Sequence, residues 1–316
     1  MPKIAVLDLG TNTFNLLLAE MRPSGYEIFY SEKQAVKIGQ NGISEGLIAP
    51  GAIERASNAM KAYRDIIQKE GIEKVYAFAT SAFRNAANGW AVKSHLENLT
   101  GFEIKIITGD VEATYIYHGV KDALKIGTKP ALIIDIGGGS VEFIIGNDDK
   151  VFWKQSFEIG AQRLLDKFHF NDPMPVDQVS KMEEYLNREL NPLFDACHKH
   201  RIYTLIGCSG TFDTLSSIYR CEYDVEHKAT STEFPITMES YFKIHREIIH
   251  KNREERLQIP GMIPMRVDMI VVASCLVRYI IKKANIGHMR VAAFALKEGM
   301  LDSIHAELYH QRRISL

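Results

Sequence analysis

The sequence has few cysteines, no excess of either charge and no long hydrophobic run. Its four cysteines include no Cys-x-x-Cys pair, which argues against a disulfide framework and favours a reducing compartment. The 38 Lys and Arg and 39 Asp and Glu give a formal net charge of −1, which argues against a protein that coats nucleic acid. The longest apolar stretch, residues 269–277, is too short to cross a bilayer, and residues 1–7 do not resemble a secretion signal. We therefore expect a cytoplasmic protein with neither a nucleic-acid nor a membrane partner.

Segments of strand length and helix length alternate along the chain. At roughly 150 residues per domain, 316 residues predict about two domains. The apolar segments of strand length are 4–7, 16–18, 75–78, 104–107, 131–134, 142–145 and 203–206. The amphipathic segments of helix length are 52–69, 110–124, 176–199, 238–250 and 266–283. This alternation predicts an α/β fold, with a domain boundary within residues 121–130.

A strand, a glycine turn and a second strand occur twice in the chain. Residues 6–18 have this pattern, and residues 133–145 repeat it 127 residues later. The corresponding positions are Asp8 and Asp135, Gly10 and Gly137, Thr13 and Ser140, and Asn15 and Glu142. Two copies, one near the start of each half, predict a duplicated domain with a cleft between the copies.

The residue types in these two turns suit phosphate and a metal ion. Glycine lets the backbone approach an anion closely and present its N–H groups, and the threonine and serine hydroxyls add further donors. The carboxylates of Asp8, Asp135 and Glu142 would repel phosphate unless a divalent cation lay between them, and Mg²⁺ prefers oxygen ligands and substrate phosphates. These three acids are therefore the candidate metal ligands. The alternative is a pair of hairpins with solvated acids, which leaves the duplication unexplained.

Glu112 lies in the first turn of the predicted helix 110–124. Apolar residues follow it at four-residue spacing, so its side chain shares a face with the apolar stripe of the helix. A carboxylate in this place is a candidate general base for water. The alternative is a favourable acid at a helix N-terminus, a role that Asp110 would fill equally well.

Two further segments carry candidate anion contacts. Arg84 follows the predicted strand 75–78, and its guanidinium group matches phosphate oxygens, although a surface salt bridge accounts for it equally well. The turn Gly207-Cys208-Ser209-Gly210-Thr211 leads from a strand into a helix, where N–H groups bind anions, although a plain strand–turn–helix fits the same residues. Arg163 and Arg266 are weaker candidates of the same type as Arg84.

Six sequence blocks follow one another along nearly the whole chain. They are Asp8-Leu9-Gly10-Thr11-Asn12-Thr13, Ser81-Ala82-Phe83-Arg84, Gly109-Asp110-Val111-Glu112-Ala113, Asp135-Ile136-Gly137-Gly138-Gly139-Ser140-Val141-Glu142, Gly207-Cys208-Ser209-Gly210-Thr211 and Arg266-Val267-Asp268. In this order they resemble the exopolyphosphatase/guanosine pentaphosphate phosphohydrolase (Ppx/GppA) family. The resemblance implies two ribonuclease-H-like α/β domains of the actin and sugar-kinase superfamily with an interdomain cleft. Domain I would be 1–124, with the C-terminal helix 298–316 packing back on it, and domain II would be 125–297.

The resemblance also implies a role for each block. Glu112 matches the catalytic glutamate of the family, and Arg84 is expected to stabilise charge on the transferred group. Asp135 and Glu142 match the acids that hold Mg²⁺ or another divalent cation, with Asp8 as a further ligand. The implied phosphate-binding residues are Asp8, Gly10, Thr11, Asn12, Thr13, Gly137, Gly138, Gly139, Ser140, Ser209, Gly210, Thr211 and Arg266.

The implied function is that of a phosphoanhydride hydrolase, an exopolyphosphatase that releases terminal phosphate from inorganic polyphosphate by attack of water. Longer family members add helical C-terminal domains, so we expect this chain to act on short polyphosphates. One alternative is hydrolysis of the 5′ γ-phosphate of guanosine pentaphosphate (pppGpp), and another is a sensor that binds nucleotide or polyphosphate without turnover. The chain departs from the family at Asn15, where Arg is common, and at 292–297, which lacks the usual Ser and Gly. A homodimer is expected.

Overall fold

The computed structural model describes residues 2–310 except 170, 227 and 229, and the chain divides into two compact units. The first unit holds the described residues up to Gly119, the turn Gly137–Gly139 and the described residues from Leu296 onward. The second holds Val120–Ile136 and the described part of Ser140–Ala295. Residues 311–316 of the predicted C-terminal helix lie outside the described residues.

Eleven strands and twelve α-helices occur in the described chain. The strands are β1 (Lys3–Leu9), β2 (Phe14–Arg22), β3 (Gly25–Gln34), β4 (Lys74–Ala79), β5 (Ile104–Ile106), β6 (Ala131–Ile136), β7 (Val141–Gly146), β8 (Val151–Phe157), β9 (Thr204–Cys208), β10 (Glu233–Phe234) and β11 (His288–Ala292). The helices are α1 (Pro50–Lys69), α2 (Ser81–Asn85), α3 (Gly89–Thr100), α4 (Gly109–Ala123), α5 (Ala161–Phe168), α6 (Val176–Glu189), α7 (Asn191–His200), α8 (Ser209–Tyr223), α9 (Met238–His250), α10 (Arg253–Leu257), α11 (Met269–Lys283) and α12 (Leu296–His310). Short 3₁₀ turns occur at Ile43–Glu45 and Pro264–Arg266.

Each unit contains one mixed sheet, and the two sheets have the same strand order. The first reads β3-β2-β1-β4-β5, and the second reads β8-β7-β6-β9-β11 with the short β10 added at the edge. In each, three antiparallel strands are followed by two strands parallel to the first. Because the same strand order recurs in both units, the predicted duplicated α/β fold is confirmed.

The sequence repeat is also a repeat of hairpin register. In the hairpin β1–β2, Asp8 lies opposite Asn15, and in the hairpin β6–β7, Asp135 lies opposite Glu142. Each Asp comes one residue before the end of its strand, so the glycine turn that follows holds it at the end of the hairpin. The same pairing therefore places the two candidate side chains of each copy on one sheet face.

Alternation along β1 builds two cores on the first sheet. Leu7 and Leu9 pack with helices α1, α2 and α3 on one face, whereas Ile4 and Val6 pack with α12 on the other. Because both faces are covered, β1 is buried along all but its first residue, as is typical of a central strand between helical layers. In the second unit a single large cluster joins the sheet to helices that include α8 and α11.

Two of the predicted helices have the wrong extent. The segment 176–199 is not one helix but two, since α6 ends at Glu189 and α7 starts at Asn191 with Pro192 in its first turn. Proline fits the first turn of a helix but cannot continue one, because it lacks an N–H group. The predicted helix 266–283 starts instead at Met269, after the 3₁₀ turn Pro264–Arg266. None of the helices in the described ranges has both the length and the hydrophobicity needed to span a bilayer.

Candidate active site

Asp8 is a buried acid held by one hydrogen bond. Asn15 Nδ2 donates to Asp8 Oδ2 at 2.8 Å. No described residue donates to Asp8 Oδ1, although this atom is buried. Burial raises the pKa of Asp8 to about 6, and the Asn15 hydrogen bond and the charges of Lys297 and Lys33 offset part of this shift. The geometry thus leaves one buried carboxylate oxygen available to a ligand.

The turn after Asp8 is closed by its own backbone. The N–H of Gly10 donates to the carbonyl of Thr13 at 3.1 Å, and a Cβ on Gly10 would lie 3.0 Å from the same oxygen. Thr11 and Asn12 at the tip of the turn are buried, and their carbonyls accept hydrogen bonds from the segment after β3. These hydrogen bonds and the burial of its tip hold the turn in this conformation.

The glycine turn Gly137–Gly139 groups with this first unit. A Cβ on Gly138 would lie 2.4 Å from Asn12 Nδ2, and one on Gly139 would lie 2.5 Å from Ser81 Oγ. Side chains at these two positions would displace Asn12 in the first turn and Ser81 in α2. The absence of a Cβ at both positions is therefore a requirement of packing.

The buried Glu112 and the half-buried Arg84 form an ion pair in the first unit. Glu112 lies in the first turn of α4 and is 6% exposed. Arg84, near the end of α2, donates from Nη1 to Glu112 Oε2 at 3.1 Å and to the carbonyl of Ile107 at 2.9 Å. The salt bridge considered for Arg84 therefore exists, but its partner is the candidate base rather than a surface acid. Asp110, in the same helical turn, is exposed.

Asp135 and Glu142 form the acidic pair of the second unit. Both are buried, and a serine hydroxyl donates to each. Ser209 Oγ donates to Asp135 Oδ2 at 2.8 Å, and Ser156 Oγ donates to Glu142 Oε1 at 2.7 Å. These hydrogen bonds fix the orientation of both carboxylates.

The turn between β9 and α8 contributes further polar groups to the second unit. Ser209 has φ +64°, a left-handed conformation that is unusual for a non-glycine residue. Arg266 packs against the next residue, since a Cβ on Gly210 would lie 2.2 Å from Arg266 Nη2. Burial lowers the pKa of Arg266, and the nearby carboxylates of Asp213 and Asp135 oppose that shift. Thr211 is buried in the first turn of α8.

Cys208 precedes this turn and is fully buried. Burial is the main cause that raises the pKa of its thiol, and the negative charge of Asp135 adds to the effect. A thiol in this state is a poor nucleophile, because the thiolate is the reactive form. Cys208 is therefore a packing residue of the site.

The predicted site residues fall into two groups, one in each unit. The first group is Asp8, Gly10, Thr11, Asn12, Thr13, Arg84, Glu112, Gly137, Gly138 and Gly139. The second group is Asp135, Ser140, Glu142, Ser209, Gly210, Thr211 and Arg266. Across the described ranges, no three His, Cys, Asp or Glu side chains form a cluster that could hold a metal ion. The three-acid ligand set Asp8, Asp135 and Glu142 stays a prediction.

Two polar neighbours of the site carry no sequence motif. Ser156 lies on β8 opposite Glu142, and Asp213 lies one helical turn into α8, close enough to Arg266 to affect its pKa. The sequence gives no clear signal for Ser156, because apolar and polar residues do not alternate along β8, and the strand pairing is what shows that it lies opposite Glu142. A third contributor, Lys297, ends the segment 292–297 that departs from the family block, and its charge lowers the pKa of Asp8.

Comparison with known proteins gives consistent matches over nearly the whole chain. The model of the Ppx/GppA phosphatase family matches residues 17–308. A solved exopolyphosphatase from Cytophaga hutchinsonii is 37% identical, with 96% of this chain and 98% of that chain covered and a TM-score of 0.92. The Aquifex aeolicus PPX-GPPA enzyme is 25% identical, with 96% and 99% covered and a TM-score of 0.76. Exopolyphosphatase 2 of Mycobacterium tuberculosis is 27% identical over 96% of this chain and 98% of its own.

Proposed function

Because the chain belongs to the Ppx/GppA phosphatase family and is homologous to exopolyphosphatases, we propose that it releases terminal phosphate from inorganic polyphosphate. The reaction is attack of water on the terminal phosphoryl group, with a divalent cation such as Mg²⁺ as cofactor and short chains as the preferred substrates. The observation that carries the proposal is the ion pair between Glu112 and Arg84, because it places a carboxylate that can accept a proton beside a guanidinium group that can bind phosphate.

Glu112 is the proposed general base. Its carboxylate accepts a proton from the attacking water, and the hydrogen bond from Arg84 orients it for that step. Arg84 is also proposed to stabilise charge on the transferred phosphoryl group, because a guanidinium group donates well to phosphate oxygens. In phosphoryl transfer, positioning and electrostatic stabilisation account for most of the acceleration.

The donor set of the second unit fits a hard divalent cation. Asp135 and Glu142 offer carboxylate oxygens on adjacent strands, each oriented by a serine hydroxyl, and Mg²⁺ prefers oxygen ligands. Asp8 is the third proposed ligand, since its buried Oδ1 accepts no hydrogen bond from any described residue. A bound Mg²⁺ would neutralise charge on the phosphate oxygens of the substrate.

The turns of both units are proposed to bind the phosphate chain. In the first unit these are the turn residues 10–13, with the hydroxyls of Thr11 and Thr13 as donors, and the glycine turn Gly137–Gly139. In the second unit they are Ser140, the turn Ser209-Gly210-Thr211 and the guanidinium of Arg266. Arg266 remains a cation although it is buried, because the ordinary pKa of arginine is far above neutral.

The test is release of inorganic phosphate from tripolyphosphate, from longer polyphosphate and from pppGpp, with and without Mg²⁺. We expect Mg²⁺-dependent release that Asp135→Ala abolishes, whereas Asp149→Ala, an exposed acid in the β7–β8 turn, leaves it unchanged. Faster turnover of pppGpp in direct competition would make the nucleotide the substrate. Absence of release from all three substrates with Mg²⁺ would contradict hydrolysis and support the sensor alternative.

A further inference from the structure

Arg256 is the bulkiest fully buried side chain of the described residues, although it carries a charge. Its Nη1 donates to Asp172 Oδ1 at 2.7 Å and its Nη2 donates to Asp172 Oδ2 at 3.2 Å, so the two side chains form a bidentate guanidinium–carboxylate pair. Its Nε donates to the carbonyl of Val267 at 3.1 Å. One side chain thus joins the loop before α6 to the residue that directly follows Arg266.

A second arginine makes a parallel link between the same segments. The backbone N–H of Arg253 donates to Asp172 Oδ2 at 2.6 Å, and its Nε donates to Asp268 Oδ1 at 3.1 Å. Asp172 therefore accepts hydrogen bonds from two residues of α10, Arg253 and Arg256. Each of these arginines also donates to one of the two residues that follow Arg266. The 3₁₀ turn Pro264–Arg266 is tied down on its C-terminal side by these contacts.

Helix α8 contacts the residues on the N-terminal side of Arg266. Gly261 has φ +86°, and a Cβ there would lie 2.4 Å from the carbonyl of Ser217 in α8. At the start of the same helix, the guanidinium of Arg266 lies where a Cβ of Gly210 would be. The segment from Gly261 to Arg266 is therefore in close contact with α8 at two places.

We infer that the Asp172–Arg256 pair positions Arg266 for binding of the phosphate chain. This inference rests on the proposed function, in which Arg266 contacts phosphate. A buried ion pair is weak support for a role in stability alone, because well-packed apolar residues often stabilise a fold as much or more. Here the pair instead fixes the backbone on one side of Arg266, so that its guanidinium stays over Gly210. Asp172 and Arg256 are positioning residues, since they act through Arg266.

The test compares Arg256→Lys and Asp172→Asn with Arg290→Lys. Lysine keeps the charge of Arg256 but loses both the bidentate pair and the bond to Val267. Arg290 is the matched control: it makes a bidentate pair with Glu233 and donates to a carbonyl, but it lies on β11, outside the segment that carries Arg266. Steady-state kinetics with tripolyphosphate and Mg²⁺ give KM and kcat for each variant.

We expect Arg256→Lys and Asp172→Asn each to raise KM about tenfold and to change kcat by less than about twofold. The reason is that Arg266 would bind the phosphate chain equally well in the ground state and in the transition state, so that losing this contact weakens binding without slowing the chemical step. The double variant is expected to resemble either single one, because both act through one network. Arg290→Lys is expected to leave KM unchanged. An unchanged KM in both test variants, or the same KM change in the control, would overturn the inference. If Arg256→Lys does not fold, Asp172→Asn alone decides.

A second readout separates this inference from the proposed function. The Nε–H signal of Arg266 in a ¹⁵N spectrum, assigned by its loss in Arg266→Lys, reports the order of that side chain without any turnover. We expect the signal to broaden or shift in Arg256→Lys and Asp172→Asn but not in Arg290→Lys. If the wild-type protein is inactive but the variants show this spectral pattern, the proposed hydrolysis is contradicted and the positioning role stands. If the wild-type protein is active but the variants do not show the pattern, the positioning role is contradicted and the proposed hydrolysis stands.

Discussion

Asn15 donates a 2.8 Å hydrogen bond to Asp8 at the hairpin position where the second unit pairs Asp135 with Glu142. The first copy of the repeat thus holds an acid beside an amide, and the second holds two acids on neighbouring strands. Two adjacent carboxylates favour a cation between them, whereas an amide satisfies a single carboxylate without one. The departure at Asn15 therefore gives Asp8 a neutral partner and makes the second hairpin the stronger candidate for metal binding.

Removing the Asn15 amide is expected to destabilise the first unit. Asn15→Ala leaves Asp8 Oδ2 buried without its donor, and an unsatisfied buried acceptor costs about 1–3 kcal/mol. Urea denaturation of the variant measures the loss in free energy of unfolding. Asn85→Ala is the control, because Asn85 is exposed and its amide can exchange the bond to Ser81 for water. Equal losses in the two variants would contradict a special role for the Asp8–Asn15 bond.

Two substitutions at Ser209 separate backbone strain from the hydrogen bond to Asp135. Both Ser209→Ala and Ser209→Gly remove the hydroxyl, and we expect each to raise the Mg²⁺ concentration for half-maximal activity about tenfold or more. Glycine accepts φ +64° without a penalty, so the glycine variant is expected to be about 1 kcal/mol more stable than the alanine variant. Thermal unfolding and Mg²⁺ titration of activity check both statements. Different metal dependence in the two variants would show that strain, rather than the hydroxyl, matters for the site.

A methyl group at Gly210 is expected to displace the guanidinium of Arg266. Alanine is a better helix former than glycine, so Gly210→Ala should keep the fold while raising KM for tripolyphosphate about tenfold. Gly51→Ala in α1 is the matched control, because the nearest atom to its Cβ is the end of the Arg55 side chain at 3.7 Å. Steady-state kinetics of the two variants give the comparison. An unaltered KM in Gly210→Ala would mean that Arg266 does not bind substrate from this position.

His245 is expected to make the second unit less stable in mild acid. Burial is the main cause that lowers its pKa to about 4, and the positive charges of Arg278 and His250 add to the shift. The unfolded chain, with a histidine pKa near 6.5, then binds a proton that the folded chain does not. The free energy of unfolding should therefore fall by about 2 kcal/mol between pH 7 and pH 5.

The measurement is urea denaturation at a series of pH values in the wild type, His245→Asn and the control His250→Asn. We expect the free energy of unfolding to change less with pH in His245→Asn than in the wild type. In His250→Asn, which replaces an exposed histidine, we expect it to change with pH as in the wild type. The same change with pH in all three proteins would show that His245 does not titrate as described.

The repeated hairpins and the family could be predicted from the sequence because the residues that define each motif are close together along the chain. An Asp, a glycine turn and a second strand lie within 13 residues, and the six blocks keep their order along the chain. The family resemblance is confirmed by the match over residues 17–308. The pairing of Asp8 with Asn15 and of Asp135 with Glu142 follows directly from that hairpin geometry.

Contacts between distant segments could not be predicted in this way. Asp172 and Arg256 are 84 residues apart, and neither belongs to a motif. Ser156 reaches Glu142 only because β8 pairs with β7, and β8 was not among the predicted strands. As an edge strand it is half-buried on both faces, so its hydrophobic pattern is weak. The division of the predicted helix 176–199 at Pro192 could have been predicted from the sequence, because a proline inside a helical pattern is a local sign that the helix ends.

The most direct test of the account is the rate of phosphate release by Glu112→Gln compared with Asp110→Asn. Both acids lie in the first turn of α4, but only Glu112 is buried against Arg84. If Glu112 is the base, kcat for tripolyphosphate with saturating Mg²⁺ falls by about 10²–10⁴ in Glu112→Gln, KM changes little, and Asp110→Asn resembles the wild type. Near-wild-type turnover in Glu112→Gln, or an equal loss in both variants, would contradict the central claim.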